Sequence, residues 1–205
     1  MLPITKSHPS RWSRGELAIA AAIGLLALAI AWPGCRTIHA RRQLAMVRHD
    51  IATLERALVR YFREYGAWPV PPSVSPGDAH FGGLRSNSEI VRVLRAKMAP
   101  GDPEDALNPQ RIVFFDADSY RPGASGLDED GSFLDPWGTP YQIALDGDYD
   151  NAVTPSHGST ERILGSGVAI RSFGPDRLPD TADDLRSWKQ GADERVRADA
   201  GITWE

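Results

Sequence analysis

The sequence predicts an α+β fold in which one long N-terminal helix packs on a small antiparallel β-sheet. Three observations lead there. Leu44, Val47, Ile51, Leu54, Leu58, Tyr61 and Tyr65 recur at spacings of three and four, with Arg48, Asp50, Glu55, Arg56, Arg60 and Arg63 on the other sides, which is the pattern of an amphipathic helix. Three later runs, 111–116, 140–145 and 167–173, are short and rich in β-branched and aromatic residues, as strands are. Gly, Pro and Asp gather between those runs, where turns are required.

In chain order, 1–16 is a polar leader carrying Lys6, Arg11 and Arg14. Residues 17–35 hold no charge. At about 1.5 Å of rise per residue that run spans roughly 28 Å, close to the ~30 Å hydrocarbon core of a bilayer, so it is expected to cross a membrane once as the first half of the long helix. The leader's basic residues place the N-terminus in the cytoplasm. A cleaved secretory signal is the rival reading, but the run is long for a signal core. A lipoprotein signal at Gly34-Cys35 conflicts with Trp32 and Pro33, which stand where such signals want small or branched aliphatic residues. Pro33 is expected to bend the rod. The amphipathic half, 36–66, closes at Gly66, with Pro69 and Pro71 forbidding continuation.

A globular head is expected over 67–188 and a tail of weak amphipathicity over 189–205. Within the head, 68–85 reads as a surface loop. Ser86-x-x-Glu89 reads as a capping box for a short helix with Ile90, Val93, Leu94 and Met98 on its apolar face, stopping before Pro100. The run 111–116 is then the first strand, with 140–145 and 167–173 after it.

Composition narrows the function. Cys35 stands alone, so no internal disulfide is available, and His8, His39, His49, His80 and His157 form no pair at zinc-ligand spacing. The net charge of −4 conceals an asymmetry, because 1–100 carries fourteen Lys/Arg against six Asp/Glu and 101–188 carries six against seventeen. An acidic second half is a poor nucleic-acid surface and a better one for divalent cations. There is no nucleophile elbow, phosphate-cradling loop or His-Glu-x-x-His helix, and no enzyme is expected.

The densest candidate is 172–188, SFGPDRLPDTADDLRSW, where Gly174, Pro175 and Pro179 fold the chain so that Asp176, Asp183 and Asp184 come close. Such carboxylates repel unless a cation joins them, and Ca²⁺ suits an all-oxygen site. The alternative is a solvated acidic turn in which Asp183 or Asp184 caps a short helix. Asp146-Gly147-Asp148-Tyr149-Asp150-Asn151 imitates the start of an EF-hand loop but has Asn151 and His157 where glycine and glutamate belong. It reads as a turn, with a separate cation site as the other possibility. Asp128-Glu129-Asp130-Gly131 is a weaker version.

Three features together resemble the major pseudopilins of type II secretion systems, relatives of type IV pilins. They are the helix ending with Gly66, Trp68 and Pro69, the segment Asp135-Pro136-Trp137-Gly138-Thr139-Pro140-Tyr141, and the 172–188 loop with its closing tryptophan. The resemblance implies a pilin-like fold, with Ca²⁺ held by the side chains of Asp176, Asp183 and Asp184 and by carbonyls near Phe173 and Leu178. It implies that Glu16 serves assembly and that processing falls between Arg11 and Trp12, although Arg11 stands where the prepilin peptidase requires glycine. The implied function is a structural subunit of a secretion pseudopilus that polymerises through its N-terminal helix. The protein would sit in the inner membrane with a periplasmic head. Its partners would be further copies, other pseudopilins, the inner-membrane secretion platform and membrane lipid. The alternative is a non-polymerising or minor pilin-like, membrane-anchored binding module.

Overall fold

The computed structural model describes residues 14–71, 74, 77–99, 101–102, 105–156 and 160–188, and for 14 and 16–37 the backbone only. The chain divides into two compact units, 1–42 and 43–205. Helix α1 (Arg14–Tyr65) is 52 residues long and continues through Pro33, which was expected to bend it.

Among the described residues no helix is long and apolar enough to cross a membrane. The expectation of a membrane-spanning first half is corrected accordingly, and with it the single-pass inner-membrane location and periplasmic head. The fold is a small mixed α+β domain with an open sheet, not the membrane-anchored pilin-like architecture.

In the 43–205 unit, Val47, Ile51, Leu54, Leu58 and Tyr61 of α1 are at most 2 % exposed and form the helical side of the core. The helix stops as its sequence demands. Gly66 takes φ +68°, and its N–H donates to the Phe62 carbonyl at 2.8 Å.

Helix α2 (Ser88–Leu94) buries Ile90, Val91, Val93 and Leu94. The capping box does not form. Asn87 occupies the N-cap without a side-chain capping bond, because its amide donates instead to the Phe133 and Tyr141 carbonyls and its oxygen accepts from the Phe133 N–H. Glu89 pairs with Arg85. The run 111–116 is not a strand, since the N–H groups of Phe114 and Phe115 both donate to the Leu94 carbonyl at the end of α2 and are lost to any ladder. Their rings pack against Tyr61 and Phe133 respectively.

The principal sheet has the order β1 (Ala79–Phe81), β4 (Gln142–Leu145), β7 (Val168–Ser172), β8 (Leu185–Arg186), and every pair is antiparallel. Two small hairpin pairs accompany it, β2 (Gly126–Leu127) with β3 (Phe133–Leu134) and β5 (Ala152–Val153) with β6 (Ile163–Leu164). Phe81, Ile143, Leu145, Val168 and Ile170 face the α1 side of the core, and Ala144 and Ala169 face a smaller cluster with Val153. The expected strands at 140–145 and 167–173 correspond to β4 and β7. Strand β1 lies inside the stretch read as a loop, since three residues between glycines show no periodicity.

Candidate metal centre

In the 172–188 loop Asp180 and Asp184 pair with guanidinium groups. The Asp184 side chain is only 1 % exposed, and its Oδ2 accepts from Arg186 at 2.6 Å and from the Asp180 N–H at 3.0 Å, with Arg171 at 3.7 Å. Arg171 also donates to Asp180 at 2.8 Å and lies over the Phe173 ring, 4.7 Å from its centroid. Asp183 accepts from the Thr181 hydroxyl at 2.7 Å and from the Asp176 N–H at 3.2 Å, and these donors, Thr181 first, hold its carboxyl below the usual carboxylate range. Asp176 accepts from the Leu178 N–H, and the Leu178 carbonyl accepts from Thr181. The loop thus brings Asp176 and Asp183 together and turns Asp184 toward two guanidinium groups. Glu16 lies in α1 with its side chain outside the described residues, and Arg11 and Trp12 lie outside them altogether.

A second constellation is built where β1 meets β4. Oxygens of Asp78, Asp146 and Asp148 all lie within 4.8 Å of one another. Asp146 follows β4, is 4 % exposed, and accepts from the N–H groups of Asp150 at 3.2 Å and Asn151 at 3.0 Å. Those bonds close a turn in which Tyr149 and Asn151 take φ of 60° and 64°. Asp78 precedes β1, and its Oδ2 accepts from the Thr154 N–H at 2.7 Å, whereas its Oδ1 is buried with no hydrogen-bond donor. Burial pushes the Asp146 carboxyl above its usual range. The Asn151 N–H opposes that shift, and a hydrogen bond with Asp148 adds to it. Two carboxylates that touch must share a proton or a cation.

Glycine lets the two segments approach. A β-carbon on Gly147 would stand 2.3 Å from the Gly77 carbonyl oxygen, so that oxygen packs against the backbone between two of the three aspartates. Among the described residues no lysine or arginine pairs with Asp78, Asp146 or Asp148. Asp150, the last aspartate of the run, is instead drawn to Arg162. Sequence reasoning found Asp146 and Asp148 through their alternation but missed Asp78, whose only local signal was a Gly-Asp pair in a region rich in both turn residues and proline.

The Asp135-to-Tyr141 motif is a structural turn. Asp135, fully buried, accepts from the N–H groups of Trp137 and Thr139 at 3.0 and 2.9 Å and from the Ser172 hydroxyl at 2.7 Å. Gly138 takes φ +87° and donates to the Asp135 carbonyl. Burial raises the Asp135 carboxyl, and these donors oppose the shift. These contacts account for Asp135 and Gly138.

No known protein family, curated protein or solved structure matches this chain. The resemblance to major pseudopilins is therefore corrected. Without a matching family or fold, and with no membrane-crossing helix among the described residues, the assignment to that family does not hold. Neither does the pseudopilus-subunit function, nor the alternative of a minor pilin-like membrane-anchored module.

Proposed function

We propose that the 43–205 unit is a non-catalytic binding domain that holds a hard divalent cation, Ca²⁺, between Asp78, Asp146 and Asp148. The observation that carries this reading is the three carboxylates with oxygens within 4.8 Å of one another and, among the described residues, no lysine or arginine partner, one of them presenting a buried oxygen that accepts nothing. Bringing such groups together costs Coulomb energy that a cation reverses. Ca²⁺ takes six to eight oxygens in flexible geometry at about 2.3–2.6 Å, which suits ligands drawn from two separate turns. The cation would tie the start of β1 to the end of β4. The acidic second half of the chain favours the same ion and disfavours a nucleic-acid partner.

Thermal unfolding of the full chain during a calcium titration tests the reading. A ligand that binds only the folded state raises Tm with concentration. Asp78→Asn and Asp148→Asn are expected to abolish most of the rise, and Asp183→Asn to retain it. No rise at millimolar Ca²⁺, or a rise lost only in Asp183→Asn, would overturn it.

A further inference from the structure

A cleft of about 290 Å³ opens beside β1, and its walls are held in place. Gly82, at φ +95°, donates to the Arg85 carbonyl at 2.7 Å and closes a tight turn that a β-carbon would force against the Tyr141 carbonyl, 2.2 Å away. Val74, Phe81, Leu84 and Pro155 give the cleft apolar walls, and Leu84, at the rim, is 99 % exposed. Gln142 supplies a polar feature. Its amide nitrogen donates to two carbonyls, those of Gly82 and Pro140, so the atom it has left is Oε1, which accepts from no donor among the described residues. The cleft therefore fits an apolar body that carries one hydrogen-bond donor. An indole has that chemistry, and the volume, near the lower bound of about 300 Å³ for small-molecule pockets, suits one large side chain better than a larger ligand.

The chain carries such a group within reach. Trp188 packs against the cluster of Ala144, Val153 and Ala169, and its indole N–H donates to Glu161 at 3.1 Å. Pro155 follows Val153 of that cluster by two residues, so the segment after Trp188 starts within roughly 20 Å of the cleft. That segment, 189–205, lies outside the described residues and holds one large aromatic residue, Trp204. An extended chain from Trp188 to Trp204 covers roughly 50 Å at about 3.3 Å per residue, more than the distance to be crossed. Ile202 and Trp204, two residues apart, fall on one side of an extended chain and could both meet the apolar wall at Leu84. Charge does not oppose the contact, since 189–205 carries three basic residues against four acidic ones. A tether of this length keeps the ring at an effective concentration of about millimolar, so a contact too weak to retain a separate ligand is still populated.

We propose that this cleft holds the side chain of Trp204, its indole N–H donating to Gln142 Oε1 and its ring covering Leu84, so that the segment 189–205 of the same chain closes over the cleft. The inference does not rest on the cation reading.

NMR of the full chain with ¹³C-labelled methyl groups tests it. Nuclear Overhauser effects from the Trp204 indole to the Leu84 and Val74 methyls are expected, with the Leu84 methyl resonances displaced upfield by the ring and the Trp204 indole N–H slow to exchange. All three signatures should be lost in Trp204→Ala and in Leu84→Asp, while the methyl resonances of Ile143 and Ile170 in the core show that both variants stay folded. The same signatures are expected in calcium and after chelation, so failure of the cation reading leaves them in place. Leu84 resonances that do not change in Trp204→Ala, or an indole from Trp12 in place of Trp204, overturn the inference. So do Overhauser effects that arise only between labelled and unlabelled chains in a mixed sample, because the occupant is then a second copy.

Discussion

The carbonyl oxygen of Gly77 stands 2.3 Å from where a β-carbon on Gly147 would be, so the turn after β4 and the segment before β1 are in backbone contact at the one position that tolerates it. Gly147 does not take a positive φ, and its requirement for glycine comes from this contact alone. Gly147→Ala is expected to push the 77–79 segment away. The cost should be about 1–3 kcal/mol, as for other overpacked sites, and the calcium-induced rise in Tm should shrink or vanish. Urea unfolding with and without calcium measures both. An unchanged calcium response would mean that the cluster does not need the approach of Asp78.

Asp148 and Asp146 offer a test in the absence of any ion. The folded-state carboxyl of Asp146 is raised above its ordinary value of 3.8, chiefly by burial. Its contribution to stability is therefore complete below that value and is lost as pH rises through the folded pKa. The hydrogen-bonded neighbour Asp148 enlarges the loss. Asp148→Asn removes the like charge, so chelated protein carrying it should match the parent at pH below about 4 and exceed it at pH 7. Because Asp148 is exposed, the gain should be about 1 kcal/mol or less. The same variant should respond weakly to calcium, so that a stabilising substitution in one condition becomes a loss in the other.

Tyr141 ties the sheet to the helix. Its hydroxyl donates to Asp50 of α1 at 2.8 Å, and burial raises the Asp50 carboxyl while the bonds from Ser125 and Tyr141 oppose the shift. Tyr141→Phe leaves a buried carboxylate short of a donor, which costs about 1–3 kcal/mol. The sign with pH follows. Asp50 contributes fully below its unfolded pKa and less as pH rises through its folded one, and removing a donor raises the folded pKa further. The deficit of Tyr141→Phe should therefore be larger at pH 7.5 than at pH 4.5 in urea unfolding. An equal deficit at both would place the loss in packing and not in the ionised Asp50.

How much was legible in the sequence divides by the range of the interaction. The amphipathic stripe from Leu44 to Tyr61 and the glycine stop at Gly66 are local, and periodicity and turn chemistry revealed them. Strands β4 and β7 were readable for the same reason. The run 111–116 has strand composition, but the N–H groups of Phe114 and Phe115 are taken by Leu94, a partner no local pattern indicates. Asn87 stands at the helix cap, but its side chain bonds to Phe133 and Tyr141 on similar grounds. Asp78 was invisible because its carboxylate acquires meaning only when β1 pairs with β4. The apolar run 17–35 suggested a membrane, while the family was suggested by the helix ending, the 172–188 loop and the 135–141 segment, in which Asp135 is buried and hydrogen-bonded.

In the 172–188 loop, where a cation was expected, one of the three aspartates is already paired within the fold. Three aspartates there suggested an ion, yet Asp184 is enclosed with Arg171 and Arg186, whose side chains are 6 % and 15 % exposed, and the guanidinium groups supply the positive charge. Breaking a buried pair by removing one partner typically costs about 3–5 kcal/mol, because the other charge is stranded. Asp184→Ala leaves Arg171 and Arg186 with Asp180 alone, at 2.8 and 3.6 Å, so a loss at the lower end of that range, about 3 kcal/mol or less, is expected in urea unfolding, and it should be the same with calcium as with chelator. Replacing both Arg186 and Asp184 with leucine should recover part of it, since the desolvation of both charges goes with the pair. If calcium instead rescued Asp184→Ala, or if the parent's calcium response vanished in that variant, the ion would sit in this loop and the cluster at Asp78 would be the self-sufficient one.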